Sequence, residues 1–376
     1  MSNFGIYLHI PFCKKACHYC NFHFSTSLQH REEMVQCLIL EAGMQKEYLV
    51  GQTVQTIYFG GGTPSLLSPG DISALLESLR SHYSISEDAE ITLEANPDDL
   101  SARVLEGLYD AGVNRLSIGI QSFFEEDLRW MNRAHNAEQA ISCLELAKET
   151  GFNNISIDLI YGGPTLTNER WAKNVSKAVS LGIPHLSCYA LTVEPGTALD
   201  HFIQRKKIPA IDPDKAAQHF EMLMEWLEAA GYEHYEISNF ALPGKRSKHN
   251  SSYWQGKPYL GLGPSAHSFN GYSRQWNVAN NSLYIQGIRK DALPFEKEML
   301  SPKMALNEYI MISLRTEGGC NLDKVADQYG QDKQRQLLIA GKEFIDKGWM
   351  KQEGPLLKLT REGKFFADGI AAAMFF

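Results

Sequence analysis

The stretch Thr56-Ile-Tyr-Phe-Gly-Gly-Gly-Thr-Pro-Ser-Leu-Leu-Ser-Pro-Gly-Asp-Ile-Ser-Ala-Leu-Leu-Glu-Ser-Leu79 holds one complete strand–loop–helix unit. Its first four residues form a short β-branched and aromatic run, and a glycine-rich loop follows at once. Ser68-Pro69 predicts a helix start, since serine caps a first turn and proline is tolerated there. Apolar residues then recur at helical spacing as far as Leu79. The stretch therefore predicts a β-strand followed by a helix with one apolar face.

The same unit recurs through the first half of the chain. Six strand-like runs alternate with helical patterns, at residues 5–10, 56–59, 90–94, 115–120, 156–160 and 185–190. Strands that alternate with helices form parallel sheets through right-handed crossovers. The runs are almost continuously apolar, as expected when both faces of a sheet are covered. The pattern predicts an α/β fold and leaves two architectures open, an open doubly wound sheet or an incomplete β/α barrel.

The rest of the chain has a different texture. A helix at 215–230 and a strand-like run at 234–240 precede an irregular stretch, 242–272, rich in glycine, proline, serine, asparagine and aromatic residues. From about residue 298, three helical patterns and two short strands follow, an order typical of a winged-helix module. We therefore expect three parts: the β/α core at 1–200, a connecting extension at 201–297 and a helical, winged-helix-like domain at 298–376.

Composition and charge narrow the class of protein. The 376 residues are 44% hydrophobic and 21% charged, as in ordinary globular proteins. The net charge of −8 offers no basic surplus for a phosphate backbone, so we expect no nucleic-acid partner. No run approaches the ~18 apolar residues of a membrane span. The N-terminus lacks the pattern of a signal peptide, so we expect a cytoplasmic protein with reduced thiols.

Three of the seven cysteines lie close together, as Cys13-x3-Cys17-x2-Cys20, straight after the first predicted strand. Soft thiolate ligands select iron–sulfur clusters or zinc. Three thiolates would leave one iron of a four-iron cluster open to a small chelating molecule. A zinc site completed by His18 or His23 is an alternative, although the paired C-x2-C spacing of such sites is absent.

Polar or glycine-rich residues also end the later strands. Gly60-Gly-Gly-Thr63, Glu94, Gln121 and Asp158 each close a predicted strand. Because β/α folds carry their sites at the carboxyl ends of the strands, we expect these groups to face the cysteine loop across one cavity. Glycine backbone lets N–H groups approach a ligand closely. The loop lacks the lysine of a phosphate-binding loop, which disfavours nucleoside triphosphate binding.

These motifs resemble the radical S-adenosylmethionine (SAM) proteins and, more narrowly, the oxygen-independent coproporphyrinogen III oxidase branch. The resemblance rests on Tyr7-x-His9-x-Pro-Phe-Cys13-x3-Cys17-x-Tyr19-Cys20, Gly60-Gly-Gly-Thr-Pro-Ser65, Leu93-Glu-Ala-Asn-Pro97, Arg115-Leu-Ser-Ile-Gly-Ile-Gln-Ser-Phe123, Asn132-Arg133, Asp158-Leu-Ile-Tyr-Gly162 and Tyr235-Glu-Ile-Ser-Asn239. It implies a partial (β/α)6 barrel, which chooses between the two architectures. It also implies that Cys13, Cys17 and Cys20 bind a [4Fe–4S] cluster, with the methionine moiety of SAM on the fourth iron. The residues that would contact SAM, by position, are Tyr7, Tyr19, Gly61, Gly62, Thr63, Glu94, Gln121, Arg133 and Asp158.

Two departures separate the chain from the oxidases. The oxidases carry a further cysteine two residues after the third, where this chain has Phe22. They also have a long arm before the first strand, whereas Tyr7 lies near the start of this sequence. His249-Asn-Ser-Ser-Tyr253-Trp254 instead resembles the H-N-x-x-Y-W motif of the HemW-type haem chaperones. That resemblance implies that His249 binds haem, since histidine is a common axial ligand and aromatic rings pack on flat macrocycles.

We therefore expect a haem chaperone that delivers haem to apo-haemoproteins, with no catalytic residue assigned. The alternative is a coproporphyrinogen III oxidase that decarboxylates its substrate by radical SAM chemistry. His267, in Gly261-Leu-Gly-Pro-Ser-Ala-His267, is a second candidate haem ligand, placed below His249 because the glycines predict a turn. The apolar tail at 365–376 predicts a closing helix or, as the weaker alternative, a contact surface for a second subunit or the cytoplasmic face of the membrane.

Overall fold

A computed structural model describes residues 3–49 and 51–376; the first two residues, part of the segment expected to lack an export signal, lie outside them. Six parallel strands neighbour one another in chain order: β1 (Asn3–Ile10), β2 (Thr53–Gly61), β3 (Ile85–Ala95), β4 (Arg115–Gln121), β5 (Ile155–Tyr161) and β6 (His185–Ala190). The helices between them are α1 (Arg31–Met44), α2 (Pro69–His82), α3 (Ala102–Ala111), α4 (Glu125–Trp130), α5 (Ala137–Glu149) and α6 (Asn168–Ser180). The six predicted strands and the α/β class are confirmed.

Local sequence explains these elements well. Ser68 and Asp71 form a reciprocal capping box at the start of α2, which satisfies backbone N–H groups that the first turn leaves unpaired. Gly112 ends α3 with φ +101, a conformation that glycine adopts without strain. Along β1, Ile6 and Leu8 are fully buried on the helix-covered face. Tyr7 and His9 alternate with them and lie on the opposite face, called here the inner face of the sheet.

The chain leaves β6 through α7 (Ala198–Gln204) and α8 (Pro213–Ala229) and returns as β7 (Glu233–Glu236) and β8 (Asn239–Ala241). The single strand expected at 234–240 is therefore wrong. The segment is a tight antiparallel pair, in which His234 faces Phe240 across a break at residues 237–238. A two-residue break inside an apolar run carries little signal in the sequence pattern.

The expectation of an irregular stretch at 242–272 is also wrong. It contains α9 (Lys248–Trp254), β9 (Tyr259–Leu262) and β10 (His267–Phe269), and the chain continues through β11 (Ser273–Asn277), α10 (Asn281–Ile288) and β12 (Phe295–Met299). Strand β9 lies parallel to β1, and β10, β11 and β12 extend the sheet beyond it. Across the described residues, this sheet has twelve strands in the order β12-β11-β10-β9-β1-β2-β3-β4-β5-β6-β8-β7. These elements are too short to show a period in the sequence, and their partners are distant along the chain.

The last part has its own core and its own small sheet. It comprises α11 (Pro302–Leu314), β13 (Cys320–Asn321), α12 (Leu322–Tyr329), α13 (Gln331–Asp346), β14 (Met350–Glu353), β15 (Leu356–Leu359) and α14 (Ala367–Ala373). The predicted helices and hairpin are present, and Ile370 and Met374 of the tail are buried in this core. An ion pair between Arg315 and Glu236 joins this part to β7. The division of the chain at residues 200 and 297 stays a prediction.

No helix in the described part of the chain is both long enough and apolar enough to cross a bilayer.

Candidate cofactor site

The three clustered cysteines lie on a loop that the rest of the barrel holds in place. The loop follows β1, and all three thiols are free and partly buried. Cys13 N donates to Ser25 O at 3.0 Å, and His18 N donates to Met131 O at 3.2 Å. Lys14 pairs with Asp98 at 2.7 Å and also with Asp99. The loop is therefore anchored to segments that follow β3 and α4.

The surroundings of the thiols suit a metal centre. Burial and the neighbouring thiols raise the pKa of Cys13 to about 11, while the hydrogen bond from Thr63 and the charge of Arg133 oppose the rise. Thr63 Oγ1 lies 3.4 Å from Cys13 Sγ, and Arg133 Nη1 donates to Cys17 Sγ at 3.3 Å. Three soft ligands that repel one another when ionised gain stability when a cationic centre binds them.

The histidines of the zinc alternative are engaged elsewhere. His18 Nδ1 donates to Trp130 O at 2.8 Å, and His23 Nε2 lies 2.8 Å from Asn281 Oδ1. Among the described residues, neither ring is hydrogen-bonded to a thiol. The third histidine near the loop, His9, acts as a support. Its Nε2 donates to His23 O at 2.8 Å, so its Nδ1 accepts from Tyr7 OH at 3.1 Å.

The glycine loop after β2 has no room for side chains. Gly61 has φ +102, and a Cβ on it would lie 2.5 Å from the His9 ring. A Cβ on Gly62 would lie 2.6 Å from Phe12 O. The backbone of this loop therefore forms a bare surface beside the cysteines, and Gly61 N donates to Glu94 Oε2 at 3.2 Å.

Two carboxyl groups face the interior of the barrel behind this loop. Burial raises the pKa of Glu94 to about 7, against hydrogen bonds from Tyr58 and Gly61, and Asp158 adds to the rise by repulsion. Burial raises the pKa of Asp158 to about 6, which Ser187, Arg133 and Arg115 counteract. A cationic or hydroxyl-bearing ligand would stabilise the ionised form of both carboxyl groups, which burial disfavours.

Two further side chains have polar atoms that the folded chain leaves without partners. Gln121 has φ +64, which is strained for a residue other than glycine, and its buried Oε1 has no hydrogen bond within the described residues. Arg133 donates to Asn96 Oδ1 and to Gly119 O, each at 2.7 Å, but its buried Nε is likewise unpaired. An unpaired buried polar atom costs about 1–3 kcal/mol, so such a concentration at one place favours a ligand site.

Sequence reasoning missed two residues of this site. Asn96 bridges Arg133 and Thr63, because its Nδ2 donates to Thr63 Oγ1 at 3.2 Å. Tyr58 donates from its OH to Glu94 Oε1 at 2.8 Å. Asn96 stands inside a motif quoted above, and Tyr58 occupies an inward position of β2, so both were visible in the sequence pattern. Tyr19, assigned to SAM by position, is partly buried next to Arg133 and Cys17, and desolvation raises its pKa.

The structure places His249 far from the cysteine loop. It lies on α9, against the inner face at the amino-terminal ends of β1, β2 and β3, whereas the cysteines follow the carboxyl end of β1. Its Nδ1 is hydrogen-bonded to Thr56 Oγ1 at 2.7 Å and its Nε2 to Tyr253 OH at 2.8 Å. The backbone N–H of His249 donates to Glu90 Oε1 at 3.0 Å.

The His249 side chain is also sealed from solvent. The residue is 1% exposed, and its ring stacks on Tyr58 with centroids 4.9 Å apart. Burial lowers the pKa of His249 to about 3, so the ring is neutral. Both ring nitrogens are used, and iron can reach either one only after a hydrogen bond breaks and α9 moves. The assignment of His249 to haem stays a prediction.

Comparisons with known proteins place this chain in a family. The model of the radical SAM superfamily matches residues 7–178, and that of the HemN C-terminal domain matches residues 300–366. The chain is 34% identical to the heme chaperone HemW of Bacillus subtilis over 98% of each chain. It is 38% identical to the heme chaperone HemW of Escherichia coli over 70% of this chain and 69% of that protein.

A solved structure agrees. The coproporphyrinogen III oxidase HemN of Escherichia coli, a radical SAM enzyme, superposes with a TM-score of 0.87 at 25% identity, over 100% of this chain and 90% of that chain. This likeness confirms the partial radical SAM barrel expected from the sequence motifs. Membership of the superfamily implies a [4Fe–4S] cluster and SAM as cofactors, as predicted. The near full-length identity to HemW proteins confirms the narrower resemblance: the chain belongs to the HemW family of heme chaperones, within the radical SAM superfamily.

Proposed function

We propose that this protein binds haem and transfers it to apo-haemoproteins in the cytoplasm. The observation that carries the proposal is the identity of 34% over 98% of the chain to a protein named a heme chaperone. Phe22 also supports it, because it stands at the position where the oxidases have their further cysteine. Its side chain is 68% exposed. A homodimer and contact with the membrane stay predictions.

Within this proposal, Cys13, Cys17 and Cys20 hold the [4Fe–4S] cluster. The thiols are on one loop beside a buried guanidinium, a donor set that suits an anionic iron–sulfur centre. When bound, the cluster offers an open iron to the amino and carboxylate groups of SAM. The unpaired atoms of Gln121 and Arg133 support their assignment to SAM.

The other residues that we assign to SAM contribute different chemical groups to its binding. Gly61, Gly62 and Thr63 present backbone beside the methionine moiety. Glu94 and Asp158 offer carboxylates to the ammonium group or the ribose hydroxyls. Tyr7, Tyr19 and Arg133 provide the walls of the pocket, and two of them are anchored by hydrogen bonds to His9 and Asn96.

Oxidase activity is the second candidate, favoured by the likeness to HemN. It requires turnover of coproporphyrinogen III, which a chaperone does not perform. An anaerobic assay of the cluster-reconstituted chain with coproporphyrinogen III and SAM separates the two, and we expect no protoporphyrinogen.

The test of the chaperone proposal is an anaerobic titration of the cluster-reconstituted full chain with haemin, followed by absorbance. We expect a saturable Soret change with a fixed stoichiometry. The haem-loaded protein is then mixed with apomyoglobin. We expect it to transfer its haem to apomyoglobin faster than haemin-loaded albumin, a non-specific carrier, does. Unsaturated binding, or turnover of coproporphyrinogen, would overturn the proposal.

A further inference from the structure

Helix α9 is attached at its last residue, Trp254, to the C-terminal part of the chain, residues 302–376. The Arg315 guanidinium, at the end of α11, lies over the Trp254 ring, with its central carbon 5.3 Å from the ring centroid. The negative face of an aromatic ring attracts a cation, and tryptophan is the best aromatic partner. The motif that begins at His249 therefore ends at a contact with the C-terminal part.

The guanidinium of Arg315 is fixed in place by carboxylates. Its Nε and Nη2 donate to Glu236 Oε1 of β7 at 3.2 and 3.0 Å, and its Nη1 donates to Asp368 Oδ1 of α14 at 2.5 Å. Glu236 is 2% exposed, and its other oxygen accepts from Ser238 N and Asn239 Nδ2 at 3.0 and 2.6 Å. These bonds orient the guanidinium plane, so that one of its faces is presented to the indole.

A second contact joins the same two elements. A Cβ on Gly256, two residues after α9, would lie 3.6 Å from Ile312 Cδ1 of α11. Ile312 and Arg315 are three residues apart, so they are neighbours on one side of α11. That side of α11 therefore covers the end of α9.

The two ends of α9 are held by different forces. At its start, Glu90 accepts from the N–H groups of Lys248 and His249 at 3.1 and 3.0 Å. At its end, the contact with the C-terminal part is a cation over a ring and an apolar side chain. Hydrogen bonds to a buried carboxylate are stronger than such contacts, so the end of the helix opens first.

Opening at that end would change the state of the His249 ring. Tyr253, next to Trp254, is the residue whose OH is hydrogen-bonded to His249 Nε2 at 2.8 Å. When the end of α9 moves, Nε2 loses this partner, whereas Nδ1 keeps its bond to Thr56 Oγ1 at 2.7 Å. A hydrogen bond at one ring nitrogen orients an imidazole for a metal at the other.

From these contacts we propose that Trp254 and Arg315 form a latch between the C-terminal part and α9, and that its opening admits haem to His249. The inference rests on the proposed haem-binding function and adds the regulation of its site. Such coupling is reciprocal, so haem bound to the released helix weakens the contact of α9 with the C-terminal part by the same factor. The C-terminal part is then the element that controls haem loading.

The first measurement is amide hydrogen exchange of the cluster-reconstituted full chain without haem, read on peptides that cover α9. Trp254→Leu removes the aromatic face and leaves the ion pair of Arg315 with Glu236, whereas Trp254→Phe keeps a ring. We expect roughly 5- to 30-fold faster exchange of α9 in Trp254→Leu. Arg315→Gln should show the same effect, and Trp254→Phe should stay close to wild type.

Arg361→Gln is the matched control. Arg361 joins the C-terminal part to α8, where its Nη2 donates to Glu221 O at 3.2 Å, so we expect wild-type exchange of α9 in this variant. The second measurement is the rate at which the Soret change develops after haemin is added. This rate should rise with the exchange rate in Trp254→Leu and Arg315→Gln, and it should stay at the wild-type value in Arg361→Gln.

Wild-type exchange of α9 in Trp254→Leu and Arg315→Gln overturns the latch, whether or not haem binds. Equal acceleration in Arg361→Gln also overturns it, because general loosening of the C-terminal part would then be the cause. Faster exchange without faster haem loading overturns the control of loading. Failure of wild type to bind haemin with saturation removes the proposed function, and the exchange rates still decide whether the latch exists.

Discussion

Replacement of Gly61 by alanine tests whether the His9 ring, which packs against this position, requires a glycine here. Gly61 has φ +102, and a left-handed conformation costs an alanine about 1–2 kcal/mol. The added methyl group would lie 2.5 Å from two ring atoms of His9, an overlap that usually costs about 1–3 kcal/mol. We therefore expect Gly61→Ala to lose about 2–5 kcal/mol of the free energy of unfolding.

The overlap also has a functional consequence. His9 is the side chain that ties β1 to His23 O at 2.8 Å, so displacing it loosens the end of the cysteine loop. The assay is urea unfolding, together with iron and acid-labile sulfide content after anaerobic reconstitution. We expect both stability and cluster content to fall.

Gly196→Ala is the matched control. Gly196 has φ +80, and a Cβ on it would have no atom within 4 Å. Alanine there is therefore destabilised only by the left-handed backbone conformation. We expect a loss of about 1–2 kcal/mol and full cluster content. Equal losses in the two variants, or normal iron content in Gly61→Ala, would refute the reasoning about the contact with His9.

Three other substitutions test the remaining parts of the site. Tyr58→Phe removes a hydrogen bond that favours ionised Glu94, so the pKa of Glu94 should rise above about 7, and the pH below which SAM affinity declines should move upward in equilibrium dialysis. Lys14→Ala leaves the buried Asp99 carboxylate without its cation; because Lys14 is partly exposed, we expect a loss of about 1 kcal/mol in urea unfolding, and faster loss of cluster iron to a chelator. Arg133→Lys keeps the charge but not the planar fork, so SAM affinity should fall roughly 10- to 100-fold in the same dialysis.

Each has a contrary outcome. An unchanged pH profile in Tyr58→Phe would mean that Glu94 is not the titrating group for SAM. Normal iron retention in Lys14→Ala would show that the ion pairs do not hold the loop. Arg133→Lys with wild-type SAM affinity would remove the arginine from the pocket.

The parallel core and the edge of the sheet that carries the candidate site were predictable because local patterns determine both. Each of the six strands is an almost continuous apolar run, and α2, α3, α5 and α6 each start at a side-chain cap. Parallel topology alone brings the carboxyl ends of the strands to one edge. The elements near His249 were not predictable in this way. Helix α9 and strands β9 and β10 are three to seven residues long, and their positions depend on distant partners such as Gly5, Thr56 and Glu90.

The two candidate haem ligands, His249 and His267, show most clearly what could not be predicted from the sequence. The sequence favours His249 because of its aromatic neighbours and places His267 in a turn. Packing reverses their accessibility, since the same aromatic neighbours bury His249, whereas His267 is exposed on β10. No local pattern reports whether an aromatic residue covers a histidine or flanks it.

Helix α9 also closes the barrel at the amino-terminal ends of three of its strands. Glu90 accepts from the first backbone N–H groups of α9, at Lys248 and His249, and so fastens this helix beneath β1, β2 and β3. The His249 ring, stacked on Tyr58, fills the space between this helix and the inner face of the sheet. The barrel therefore has a closed end at the amino-terminal ends of these strands, and the cysteine loop lies at the other end.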